Sequence, residues 1–223
     1  MVDIHSLLDL SHTIASGLFE GKTYPWEALG ELGGFILKLG SGLPEEEFDH
    51  PAADIWIARD ASVAPSASLT GPLIIDRGAQ VRHCAFIRGS VIVGRGSVVG
   101  NSTELKNALL FDAVQVPHYN YIGDSILGYH AHFGAGSITS NVKGDKSLVI
   151  VKTADASYAT GRKKVGAIVG DHGEIGCNAV LNPGTVIGRG ATVYPLCSVR
   201  GLVPAGHIYK GEGRCVPREE RPA

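Results

Sequence analysis

The sequence predicts an all-β solenoid, a parallel coil of short strands, preceded by a brief helical segment. Three observations carry this expectation. From Ile57 to Leu105 every sixth position is aliphatic: Ile57, Val63, Leu69, Ile75, Val81, Ile87, Val93, Val99 and Leu105. Two residues before each step the side chain is mostly small, as at Ala61, Ala67, Ala79, Ala85, Ser97 and Thr103, with Leu73 and Val91 larger. The spacing returns later at Val169, Ile175, Leu181, Ile187, Val193 and Val199. A helix repeats at about 3.6 residues and a strand at about 2, so neither holds a period of six. A short strand and a turn hold it, and three such units close a triangular coil of about eighteen residues around the aliphatic row.

Before the repeat, Ile4, Leu7, Leu8, Ile14 and Leu18 fall at helical spacing, and Gly21 closes that stretch. A second helix is expected from Tyr24-Pro25-Trp26, its apolar face carrying Trp26, Leu29, Leu32, Ile36 and Leu39. Two such helices would cap the open first coil, because the terminal units of a solenoid need covering. A stub of a lost upstream domain, or an element that docks a partner, is the alternative. Glycines, Pro44, Pro51 and Glu45-Glu46-Glu47 make the stretch up to Asp54 a linker. After Leu105, Phe111 keeps the period, but the next inward candidates are Val116, Ile122, Leu127, Phe133 and Ile138, with some steps of five. Such slips tend to sit beside functional sites, since a regular scaffold has no need of them. Between Asn141 and Val165 the pattern is absent, and the apolar Leu148 to Val151 and basic Gly161-Arg162-Lys163-Lys164 predict an insertion projecting from one edge. The expected organisation is a helical segment and linker over 1–54, a solenoid over 55–205 with an inserted loop at about 147–165, and an irregular tail over 206–223.

A net charge of −2 supplies no basic field for nucleic acid and no polybasic patch for a membrane surface. No signal peptide is visible at Met1-Val2-Asp3-Ile4-His5, and no stretch is long and apolar enough to span a bilayer. Cys84, Cys177, Cys197 and Cys215 are scattered without metal or redox spacing and read as reduced thiols, so a cytoplasmic location is expected.

Residues one coil apart stack at about 4.8 Å. Arg88 and Lys106 are so related, and each follows an inward aliphatic residue, so both point outward from one face. Two stacked cations without a carboxylate between them fit a phosphate, Arg as a planar fork and Lys as a point charge. Two solvated surface cations are the alternative. Within the slip, His118 lies between Pro117 and Tyr119, and histidine is the natural general base near neutral pH. A hydrogen-bonded structural histidine is the alternative there.

The period resembles that of the hexapeptide-repeat, left-handed parallel β-helix, and the handedness is what that resemblance implies. Three motifs go further: Gly100-Asn101-Ser102-Thr103-Glu104-Leu105-Lys106-Asn107, Pro117-His118-Tyr119-Asn120-Tyr121-Ile122-Gly123-Asp124 and Gly134-Ala135-Gly136-Ser137-Ile138-Thr139-Ser140-Asn141. In order and spacing they resemble the acetyltransferase half of the bifunctional glucosamine-1-phosphate acetyltransferase / N-acetylglucosamine-1-phosphate uridyltransferase, and stand-alone relatives of sugar-1-phosphate nucleotidylyltransferases. The likeness covers roughly 55–205. It implies an acetyl-CoA-dependent N-acetyltransferase of amino-sugar 1-phosphates, in UDP-N-acetylglucosamine biosynthesis, assembled as a homotrimer. It implies His118 as general base, Arg88 and Lys106 on the sugar phosphate, and Tyr121, Asn141 and, less directly, Lys146 on the sugar or amine. CoA would lie along a groove near Ala135 and Cys177. The chain departs from the pattern with His132 before the glycine segment and Asn141-Val142-Lys143-Gly144 after it. No glycine-rich nucleotidyltransferase motif stands upstream, which points away from uridyl transfer. His130 and His132 invite comparison with zinc-binding β-helix relatives, but the spacing those use is missing and no metal site is expected. A non-catalytic β-helix that scaffolds a partner is the competing reading.

Overall fold

The structure, a computed structural model, describes residues 1–219; the end of the expected tail, 220–223, lies outside the described residues. The six-residue period becomes three stacks of parallel strands. Ile57 pairs with Ile75 and Ile75 with Val93 on one face. Val63, Val81 and Val99 align on the second, and Leu69, Ile87 and Leu105 on the third. Ile75, Val81, Ile87, Val93, Val99 and Leu105 are fully buried where the three faces meet. Each such side chain contributes about 1.5–3 kcal/mol on burial. Two faces merge into a 14-stranded sheet, and the third is 9-stranded. The fold is the parallel β-solenoid that the period predicts.

Two inward positions differ from expectation. Leu110, not Phe111, continues the interior row, paired with Val93 and Leu127. Phe111 instead meets Phe19 of the N-terminal segment edge-on, with centroids 6.0 Å apart. Thr139, not Ile138, stands between Ile122 and Leu181, and its hydroxyl accepts from the Gly123 N–H at 2.9 Å. The register then explains the slip. Ile87 faces Leu105, eighteen residues on, but Leu105 faces Ile122 and Ile122 faces Thr139, seventeen on. The missing residue is lost where strands Glu104–Leu110 and Tyr121–Leu127 run unbroken through a corner. Asn107 and Asp124 make those corners at φ of 48° each, a left-handed conformation that Asn and Asp tolerate. The shortening therefore lies at these corners and not at His118.

The N-terminal segment does not cap the first coil as two helices. It forms α-helix Ile4–Leu7, 3-10 turns at Leu10–His12, Ser16–Phe19 and Pro25–Gly30, and α-helix Leu32–Gly40. Its backbone is committed to the solenoid, which ends the first helix early. Leu7 O accepts from Asp171 N at 3.0 Å, Asp9 N donates to Asp171 Oδ2 at 2.8 Å, and His12 O accepts from Asp112 N at 3.0 Å. The segment runs along one flank because the outward row there, Ile74, Ile92, Leu109, Ile126 and Ile168, is apolar and needs a cover. The end of the coil is covered instead by strand Phe48–Ala52, inside the expected linker, paired antiparallel with Ile55–Ala58. The insertion does not project either. It folds into a hairpin, Ile150–Lys152 against Ser157–Ala159, with Val149 and Val151 buried and Tyr158 packed near Tyr24 and Trp26. Arg162, expected at a loop tip, is half-buried and lies against Gly30. In the tail, Cys215–Pro217 forms a strand antiparallel to His207–Tyr209.

Candidate active site

The shortened corners build one half of the site. Asn107, Asp124 and Asn141 follow one another at seventeen residues, so the short coils bring their side chains together. The Asp124 carboxylate is nearly inaccessible. It accepts from Asn107 Nδ2 at 2.9 Å and from Asn141 Nδ2, with Lys106 Nζ at 3.5 Å. Asn141 Nδ2 also lies 3.3 Å from Tyr121 Oη. Burial pushes the Tyr121 phenol upward, and the charges of Asp124 and Glu104 add to that, so it stays protonated. Arg88 Nη1 donates to Glu104 Oε1 at 2.7 Å, which raises the guanidinium pKa further.

The cation pair therefore differs from expectation. Each cation carries a carboxylate, Glu104 on Arg88 and Asp124 on Lys106, so the two are not bare. With Arg88 45% exposed, solvent screens that pair, and a phosphate can displace Glu104. The Asp124 contacts are of another kind, a buried hub joining two predicted substrate residues. Glu104, Asn107 and Asp124 were given no role by sequence reasoning. The ladder of Asn107, Asp124 and Asn141 at a constant seventeen is the signal that could have found two of them.

The other half lies across the same face. His118 ends strand Gln115–His118, opposite Asn101, with its side chain exposed. Its backbone N–H donates to Asn120 Oδ1 at 3.0 Å. Asn120 is buried, and its Nδ2 donates to Gly134 O at 2.9 Å and Ser137 O at 3.1 Å, tying this corner to the next coil. The corner has no room for a side chain at Gly100, where a Cβ would meet the Pro117 backbone. Gly136 N donates to His118 O at 3.0 Å, Asn178 N to Ala135 O at 2.9 Å, and Leu196 N to Cys177 O at 2.9 Å. His118, Ala135 and Cys177 thus occupy one edge in successive coils. Tyr121 stands on the strand between this edge and the Asp124 cluster. Lys146 is exposed in the turn beyond Asn141, its backbone N–H donating to Lys143 O at 2.9 Å, and does not join the cluster. His130 and His132 face different neighbours. His132 Nδ1 lies 2.9 Å from Glu174 Oε2, while His130 stacks on His172 at 5.5 Å. No group of three or more metal-ligating side chains is found among the described residues.

The family described as GMPPB C-terminal domain matches residues 69–158. A bifunctional sugar-1-phosphate nucleotidylyltransferase/acetyltransferase of Sulfurisphaera tokodaii is 34% identical over 112 residues, 50% of this chain and 28% of that protein. The chain is similar to these bifunctional proteins. It spans little more than a quarter of their length. A putative uncharacterized acetyltransferase, YaiX, of Escherichia coli is 29% identical over 158 residues, 71% of this chain and 69% of that one. Among solved structures, WeeI from Acinetobacter baumannii AYE is similar at 16% identity and a TM-score of 0.39, covering 73% of this chain and 57% of that one. No helix among the described residues is long and apolar enough to cross a membrane.

Proposed function

We propose that the chain is an acetyl-CoA-dependent N-acetyltransferase acting on an amino-sugar 1-phosphate such as glucosamine 1-phosphate. One observation carries this reading: the exposed His118 and the Ala135–Cys177 edge face the Asp124-centred cluster across a single strand bearing Tyr121. CoA lies along the edge, with its thioester brought to His118. The sugar phosphate exchanges with Glu104 on Arg88 and draws on Lys106. Asn141, its amide nitrogen held by Asp124 and near Tyr121 Oη, keeps its carbonyl oxygen for the substrate amine. His118 takes a proton from the amine as nitrogen attacks the thioester carbon. The C–N bond forms, the C–S bond breaks, and the imidazolium returns its proton to the departing thiolate. Tyr121, protonated in its half-buried setting, donates a hydrogen bond to the sugar. The product serves UDP-N-acetylglucosamine synthesis in the cytoplasm.

General-base help of this kind is worth about 10²–10⁴ in rate. His118→Ala is expected to lower kcat at least about 100-fold with little change in acetyl-CoA binding or melting temperature. Wild-type kcat/KM should rise with pH along a limb that the variant lacks. Wild-type turnover in the variant makes His118 structural. A wild-type enzyme inert toward a panel of amino-sugar phosphates, while retaining a protein partner, returns the scaffold reading. The assembly proposed is a homotrimer, and a monomer mass by light scattering at micromolar concentration removes it.

A further inference from the structure

A cluster of positive charge lies beside the candidate active site, in a groove between the inserted hairpin and the last coils. Its walls carry Lys143, Lys152 and Arg200 around an apolar strip of Ile150 and Pro183, enclosing about 210 Å³. A second groove of about 450 Å³ shares Lys143, Pro183 and Arg200 and runs on to Ser140, the residue before Asn141. Lys143 has Asp145 at 3.7 Å. Neither Lys152 nor Arg200 takes part in an ion pair among the described residues.

Two glycines make the groove this narrow. Gly201 turns at a φ of 76°, and a Cβ there would stand 3.0 Å from Lys152 O. Gly184 turns at 78°, and its Cβ would meet Val149 Cγ1 at 2.8 Å. Both let the hairpin lie against the coil, so Lys152 and Arg200 line the same gap. Three cations and one carboxylate leave a charge of about +2, which matches a phosphate monoester or a diphosphate diester. A guanidinium offers a bidentate fork to such oxygens, and the lysines act as point charges.

We propose that this groove is an anion site, separate from the Arg88–Lys106 pair, that binds the phosphate or diphosphate group of a small phosphorylated ligand. The proposal does not require acetyl transfer. Its test is calorimetric titration of the full chain with inorganic pyrophosphate at low ionic strength, in an Arg88→Gln background that removes the other candidate phosphate contact. Saturable binding is expected to persist there, to weaken with added salt, and to fall at least tenfold when Arg200→Gln or Lys152→Gln is added. Lys38→Gln, on the N-terminal segment, should change nothing. Melting temperatures should stay level, since both groove cations are exposed. Competition by adenosine 3′,5′-bisphosphate assigns the groove to the nucleotide end of CoA, and competition by uridine diphosphate to a nucleotide-linked substrate. Loss of binding in the Arg88→Gln background overturns the proposal. So does full affinity after Arg200→Gln, and so does competition by neither nucleotide.

Discussion

Removing the Asp124 carboxylate tests the architecture of the site more directly than removing any exposed residue. In Asp124→Ala, the amide nitrogens of Asn107 and Asn141 each lose a charged acceptor, and the Lys106 ammonium loses its counterion. Hydrogen bonds to charged groups contribute about 1.5–3 kcal/mol each. Two at the low end give about 3 kcal/mol. Lys106 adds no more than about 1 kcal/mol, because its side chain is 28% exposed and 3.5 Å away. Water entering the vacated space recovers part, so a destabilisation of about 2–4 kcal/mol is expected. Urea unfolding followed by circular dichroism reads it as a lowered midpoint with an unchanged slope. In turnover assays Asn141 should lose its orientation, raising KM for the amino sugar and lowering kcat at least tenfold. Asp124→Asn keeps one acceptor and should fall between the two. A stability within about 0.5 kcal/mol of wild type for Asp124→Ala would refute the hub.

Other outcomes follow from the same geometry. Arg88→Gln should raise KM for the sugar phosphate about ten- to hundredfold at unchanged melting temperature, while Glu104→Gln, which removes the competing carboxylate, should lower it. Leu109→Ala, outward yet fully buried beneath the N-terminal segment, should cost about 2–5 kcal/mol and open that segment to limited proteolysis, whereas Gln115→Ala on an uncovered face should not. Burial pushes the Asp112 carboxyl above its ordinary range, with the charge of Asp76 adding to the effect, against the Arg95 N–H that it accepts at 3.0 Å. A folded pKa above the unfolded one gives a contribution that is complete below the unfolded value and lost as pH rises through the folded value. Asp112→Asn keeps the acceptor without the charge, so its melting temperature should exceed wild type at pH 7 and converge with it toward pH 4.

The sequence alone determined the solenoid, because its cause repeats locally: one inward aliphatic residue per strand, with Ile75, Val81 and Ile87 each filling the interior wherever the coil has reached. His118, Ala135 and Cys177 were named together only by the family resemblance; their shared edge is fixed by the hydrogen bonds between successive corners, across the inserted hairpin. The cover was half legible. Ile74, Ile92, Leu109, Ile126 and Ile168 are apolar in the sequence, but their alignment into one covered outward row, and what covers it, come from the structure. Only the tertiary structure decided that the N-terminal segment runs along the flank and that the hairpin folds beside it, because both depend on burial between residues far apart in the chain. The partners of Arg88 and Lys106 were hidden for a related reason. Asp124 reaches Lys106 because a corner loses a residue, which is settled by the coils closing on one another, whereas Glu104 reaches Arg88 across a strand pair still in eighteen-residue register, Glu104 opposite Phe86.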